Sequence, residues 1–158
     1  MKPRNDYATP GAYFVTICTF RKQPSPGVAE ERTVVSDTGR IVQQCWTDLP
    51  THYRHTRLDC FIVMPNHIHG IAWIRDAGRA GFKPAPTALP EIMRGFKTFS
   101  ARRVNELRGT PSVPLWQRNY HERIIRDGVE LHRVREYIVA NPGRWADDPE
   151  HVSTLAAV

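Results

Sequence analysis

Two apolar runs, Leu58 to Met64 and His67 to Ile74, are separated by Pro65 and Asn66 alone. Runs of that length bounded by turn formers read as β-strands. So short a join makes the two neighbours in one sheet, and the rest of the chain has to be arranged around it. Upstream, "AYFVTICTF" (Ala12 to Phe20) is rich in β-branched and aromatic residues and reads as a further strand. "SPGVAEERTVVS" reads as a loop ending in a short strand. "DTGRIVQQCWTDLP" then reads as a helix, capped by Ser36 or Asp37, with Ile41, Cys45 and Leu49 on one face and Pro50 helping to stop it.

Downstream of the pair, residues 77–90 form a basic loop rich in Gly and Pro. The next helix is "EIMRGFKTFSARRVNELRG", with Ile92, Phe96, Phe99 and Leu107 along one side and Arg94, Lys97 and Arg108 roughly opposite. "SVPLWQRNY" is a connection, and "HERIIRD" a short strand with both isoleucines buried. A last helix starts at Asp127, with Glu130 three residues on as in a capping box, and ends near Asn141 because Pro142 disfavours helix before it. Its apolar stripe is Leu131, Val134 and Ile138. The first six elements give the split β-α-β order of a ferredoxin-like α+β fold, an antiparallel sheet with helices on one face.

The 158 residues suit one domain, 1–158, and 41% apolar residues can supply its core. No apolar run approaches the roughly 20 residues of a membrane helix, and "MKPRNDYATPGAYF" lacks a hydrophobic signal region. Cys18, Cys45 and Cys60 are odd in number and widely spaced, as buried thiols in a reducing cytoplasm would be. The expectation is a cytoplasmic protein with no membrane partner. The net charge of +6 favours polyanions such as nucleic acid.

Within "MPNHIHGI", His67 and His69 fall on the same face of a strand while Ile68 points the other way. Two imidazoles side by side make a partial metal site. Taken alone, H-x-H is more often a pair of partly exposed histidines on a half-solvated strand. The last helix offers partners, since Tyr137 and Asn141 are four apart and share a face. Asn141 can place an amide oxygen at a metal, and Tyr137 a phenol beside whatever the metal holds. A helical tyrosine at a core edge and an Asn before Pro are also ordinary structural features. Together, a cation, a phenol and a basic surface suit covalent cleavage of a phosphodiester. Two imidazoles and an amide oxygen leave the shell to be completed by water and phosphate oxygens, which suits Mg²⁺ or Mn²⁺.

"MPNHIHGI", "LWQRNYHERIIRD" and "REYIVANPGRW" resemble the single-tyrosine HUH transposases, and most closely their REP-associated tyrosine transposase branch. The resemblance runs from about Tyr13 to Trp145. Its specific part is P-N-H-x-H followed by Y-I-x-x-N-P. It implies a ferredoxin-like core and an enzyme that cuts and rejoins single-stranded DNA through a 5′-phosphotyrosine. It also implies that His67, His69 and Asn141 are metal ligands and Tyr137 the nucleophile. Related insertion-sequence transposases usually carry glutamine at the third ligand position, so Asn141 points to the REP-associated branch. The expected substrate is hairpin or other single-stranded DNA, and a monomer is favoured over a homodimer. Tyr120 is a rival nucleophile, and His121 and Glu122 could join the site. Arg94, Lys97, Arg102 and Arg108 are candidate phosphate contacts, with Arg79 and Lys83 of the loop as the other basic surface. Arg103 is close enough to the apolar stripe to be structural. Two other readings stay open: a ferredoxin-like module that binds nucleic acid without chemistry, and a nuclease that activates water and uses Tyr137 for packing.

Overall fold

The computed structural model describes residues 10–20, 27–29, 33–35, 37–75 and 88–140. Ser36, Arg79, Lys83, most of the 77–90 loop and Asn141 lie outside the described residues. The elements are β1 (Gly11–Cys18), β2 (Gly27–Ala29), β3 (Thr33–Val35), α1 (Asp37–Thr47), α2 (Leu49–His52), β4 (Thr56–Val63), β5 (His67–Ile74), α3 (Leu89–Arg108), β6 (His121–Ile125) and α4 (Gly128–Ala140). Four strands form one antiparallel sheet in the order β4-β5-β1-β6. β1 and β5 are paired along their whole length, from Gly11 opposite Ile74 to Cys18 opposite His67. This is the strand order of the split β-α-β arrangement, and the fold class is α+β as expected.

Strand alternation divides the chemistry between the two faces. Tyr13, Val15 and Ile17 of β1 lie with Ile68, Ala72 and Ile74 of β5 on the first face, under Val42 and Trp46 of α1 and Ile92 and Phe96 of α3. Trp46 is buried and stacked on Phe61 at 4.8 Å between centroids, and burying each such large side chain is worth roughly 1.5–3 kcal/mol. Ala12 and Ile71, with Phe14 and Trp73, occupy the second face under Val134 and Ile138 of α4. Thus α1 and α3 share a face as expected, and α4 covers the opposite one.

Several elements differ from the sequence reading. The expected helix through Pro50 is two helices. Pro50 sits in the first turn of α2, where its missing N–H costs nothing, so it starts a helix there. The buried residues are Val42, Cys45, Trp46 and Leu49; Ile41 is only half-buried. On α3 the core stripe is Leu89, Ile92, Met93, Phe96 and Val104, and Phe99 and Leu107 are exposed at 40% and 55%. Ile125 is buried, whereas Ile124, on the opposite face, is half-buried. The segment ahead of α1 forms a hairpin, β2 with β3, where one short strand was expected.

Among the described residues no helix is long and apolar enough to cross a membrane. Cys18 and Cys45 are buried and Cys60 half-buried, with no disulfide among the described residues. Burial pushes the Cys45 and Cys60 thiols up from their ordinary values.

Candidate active site

β5 carries His67 and His69 onto the second face, and both are buried, at 0% and 4% exposure. The reading of partly exposed histidines on a half-solvated strand is therefore wrong, because α4 and the sheet enclose that face. Their Nε2 atoms stand 3.1 Å apart. The far side of each ring is held by an oxygen: His67 Nδ1 lies 2.8 Å from Asn66 Oδ1, and His69 Nδ1 lies 2.8 Å from Thr16 Oγ1. An amide oxygen only accepts, so His67 donates from Nδ1, and in the neutral ring that leaves the lone pair on Nε2.

Thr16 can do either, and this allows two proton arrangements. If its hydroxyl donates to His69, His69 donates from Nε2 to His67, and the four groups form a satisfied hydrogen-bonded chain. If it accepts from His69, both Nε2 atoms present lone pairs to the same point, which requires a cation between them. Two nitrogens about 2.1 Å from a shared ion, at roughly a right angle, stand about 3 Å apart. The second arrangement is the one found where oxygen partners orient metal-binding imidazoles. The donor set therefore fits a divalent metal, though only as a pair. Among the described residues no three His, Cys, Asp or Glu side chains converge, and Asn141, the third ligand the resemblance implies, lies outside the described residues.

α4 supplies Tyr137. The helix starts as its sequence predicts: the Glu130 N–H donates to Asp127 Oδ1 at 2.8 Å, and Glu130 Oε2 accepts from the Arg126 N–H at 3.1 Å. Val134 and Ile138 face the sheet and turn Tyr137 toward β1 and β5. Its ring lies 5.3 Å from His69 and 6.2 Å from Phe14, edge-on to both. Tyr137 remains 38% exposed, so one edge packs while solvent still reaches the residue. It lines a cleft of about 710 Å³ between β6 and α4, together with Phe14, His69, His121, Arg123 and Arg133.

A second tether fixes α4. A bulge between Leu58 and Phe61 interrupts β4, and there Asp59 accepts two hydrogen bonds from Arg135 of α4, at 2.9 and 2.6 Å. It also accepts from Trp73 Nε1 at 3.0 Å and from the Cys60 N–H. Arg135 above all, then Trp73 and Cys60, hold the Asp59 carboxyl well below the usual carboxylate range, against the opposing effect of burial.

The other expected residues fall elsewhere. Tyr120 packs against the first-face core, across the sheet from the histidines. His121 lines the cleft, but Glu122, one residue on, belongs to the first face. Arg94, Lys97, Arg102 and Arg108 all lie on α3, so the sheet separates them from His69 and Tyr137. Lys97 Nζ donates to the Gln117 and Arg118 carbonyls, and burial lowers its pKa. Arg108 donates to Thr38, and Arg102 lies over Phe99. Arg103 bridges to Asp48 and Cys45, the structural position its place near the stripe suggested. Sequence reading missed Asn66, Thr16, Asp59 and Arg135. Only Asn66 had a local signal, as the residue next to His67.

No family model matches the chain. An uncharacterized protein of Haemophilus influenzae is 35% identical over 164 residues, covering 93% of this chain and 88% of that protein. Two solved structures are similar in fold. One is a REP-associated tyrosine transposase bound to a REP hairpin, with a TM-score of 0.63 and 16% identity, over 91% of this chain and 73% of that one. The other is a Deinococcus radiodurans protein assigned provisionally as a transposase, with a TM-score of 0.53 and 18% identity, over 88% of this chain and 96% of that one.

Proposed function

The chain belongs to one family with the Haemophilus influenzae protein, and from its fold and site we propose that it is a transposase-type enzyme that nicks and rejoins single-stranded, hairpin-associated DNA. The observation that carries the reading is the meeting of two elements. β5 brings two imidazole Nε2 atoms to 3.1 Å from each other, and α4 sets the ring of the partly exposed Tyr137 with its centroid 5.3 Å from that of the His69 ring.

His67, His69 and Asn141 would hold a divalent cation, Mg²⁺ or Mn²⁺. When bound, it polarises a phosphate oxygen and favours the phenolate. Asn66 and Thr16 keep the two rings aimed. Tyr137 gives its proton to water and attacks phosphorus. The bond from phosphorus to the 3′-oxygen breaks, the 3′-oxygen takes up a proton, and the 5′-phosphate stays esterified to Tyr137. Attack by a 3′-hydroxyl on that ester restores the phosphodiester and releases the phenol. The +6 charge and the cationic side chains of the cleft suit a polyanionic substrate.

The test is mass spectrometry of tryptic peptides after incubation with hairpin DNA and Mn²⁺. A nucleotide adduct on the peptide containing Tyr137 is expected. Cut DNA with an unmodified peptide would mean that water is the nucleophile, and metal-independent binding with no cutting would mean a binding module.

A further inference from the structure

Resting on that reading, we propose that the strand to be cut lies in the β6–α4 cleft, with Arg133 and Arg123 holding its phosphates and Phe14 stacking one of its bases, and not along α3. Arg133 precedes Tyr137 by four residues, so guanidinium and phenol are neighbours on one face of α4, and both line the cleft. Arg133 is exposed, and among the described residues it has no ion-pair partner. A phosphate next to the one attacked by Tyr137 would meet it first.

Arg123 reaches the same cleft from β6. It lies 5.9 Å above the Phe14 ring and 3.3 Å from Glu130. The cleft holds two acids, Glu130 and Asp127, and both are committed to the start of α4. The Arg123–Glu130 pair is largely open to water on the arginine side, at 62%. Such a pair is weak, so a strand phosphate can share or replace the carboxylate. Phe14 is half-buried and packs with His69 and Tyr137. That forms an aromatic floor beside the reacting phenol, of the kind single strands stack on. β6 is an outer strand of the described sheet, so the cleft lies along a sheet edge. Three of the α3 cations are differently employed: Lys97, Arg103 and Arg108 hold neighbouring elements together. A strand lying along α3 would have to pass around the sheet to reach Tyr137.

The probes are a fluorescein-labelled DNA hairpin and the same hairpin with a single-stranded extension. Binding is measured on the full chain carrying Tyr137→Phe, so that no covalent product forms and the result is independent of cleavage. The extension should tighten binding. Arg133→Ala and Arg123→Ala should each remove roughly tenfold of that gain and lower the salt slope by about 0.7 for every phosphate that is no longer neutralised, leaving the bare hairpin unaffected. Phe14→Leu should also reduce the gain, and Arg94→Ala should not. The proposal is overturned if the extension adds nothing, if both arginine variants keep the full gain and slope, or if Arg94→Ala abolishes it. Failure to form an adduct in the parent protein would instead sink the cleavage reading and leave these binding results standing.

Discussion

One imidazole, that of His69, touches Thr16, His67, Phe14 and Tyr137. Residues that seem unrelated in the sequence therefore belong to one site. That His67 and His69 share a face was legible, because strand periodicity is local. That they are buried was not, because the cover comes from a helix about seventy residues later. Thr16 was also invisible, since its bond to His69 spans 53 residues. Thr16→Val keeps the shape of the side chain but removes the oxygen on Nδ1. It should fold, yet bind Mn²⁺ roughly 10–100-fold more weakly in a calorimetric titration. Wild-type affinity would show that Thr16 does not orient the ring. Gly70 is a packing requirement in the same motif. A Cβ there would stand 2.6 Å from Trp46 Cζ2 and 3.2 Å from Phe61 Cδ2. Both rings are stacked and cannot easily yield, so Gly70→Ala should cost about 1–3 kcal/mol and lower Tm.

At the scale of elements, β5, β6 and the existence of α1, α3 and α4 could be read from apolar period and caps. The α1 and α3 stripes were partly misread because both helices face two neighbours at once, the sheet and each other. That rotates the buried set onto Val42, Trp46, Met93 and Val104. α4 depends most on an interaction that no period reveals. It buries only Val134 and Ile138, and the Asp59–Arg135 pair supplements them. Asp59 has its carboxyl lowered in the folded state. The stabilisation it gives is therefore present above the unfolded value of about 4 and lost as pH falls toward the folded one. Hydrogen exchange, read as protection of α4 relative to α3, should fall selectively on acidification below about pH 4. Asp59→Asn should show reduced α4 protection at neutral pH and slower adduct formation. Equal protection in the variant at neutral pH would mean that the apolar stripe alone positions Tyr137.

For the whole molecule, the strand order β4-β5-β1-β6 follows from the alternation of elements, and right-handed crossovers leave few other ways to close such a sheet. The same topology puts α3 and α4 on opposite faces. A basic helix can then be prominent in the sequence and still lie across the sheet from His69 and Tyr137. It also places Tyr137 and its rival Tyr120 on opposite sides of the sheet. In the proposed reaction the covalent bond to DNA is formed by Tyr137. This is tested most directly by incubating wild type, Tyr137→Phe and Tyr120→Phe with end-labelled hairpin DNA and Mn²⁺, then resolving the products on a denaturing gel. Wild type and Tyr120→Phe should give a protein–DNA adduct and a free 3′-hydroxyl fragment, and Tyr137→Phe neither, although it still folds and binds the DNA. An adduct that persists in Tyr137→Phe and disappears in Tyr120→Phe would contradict the account.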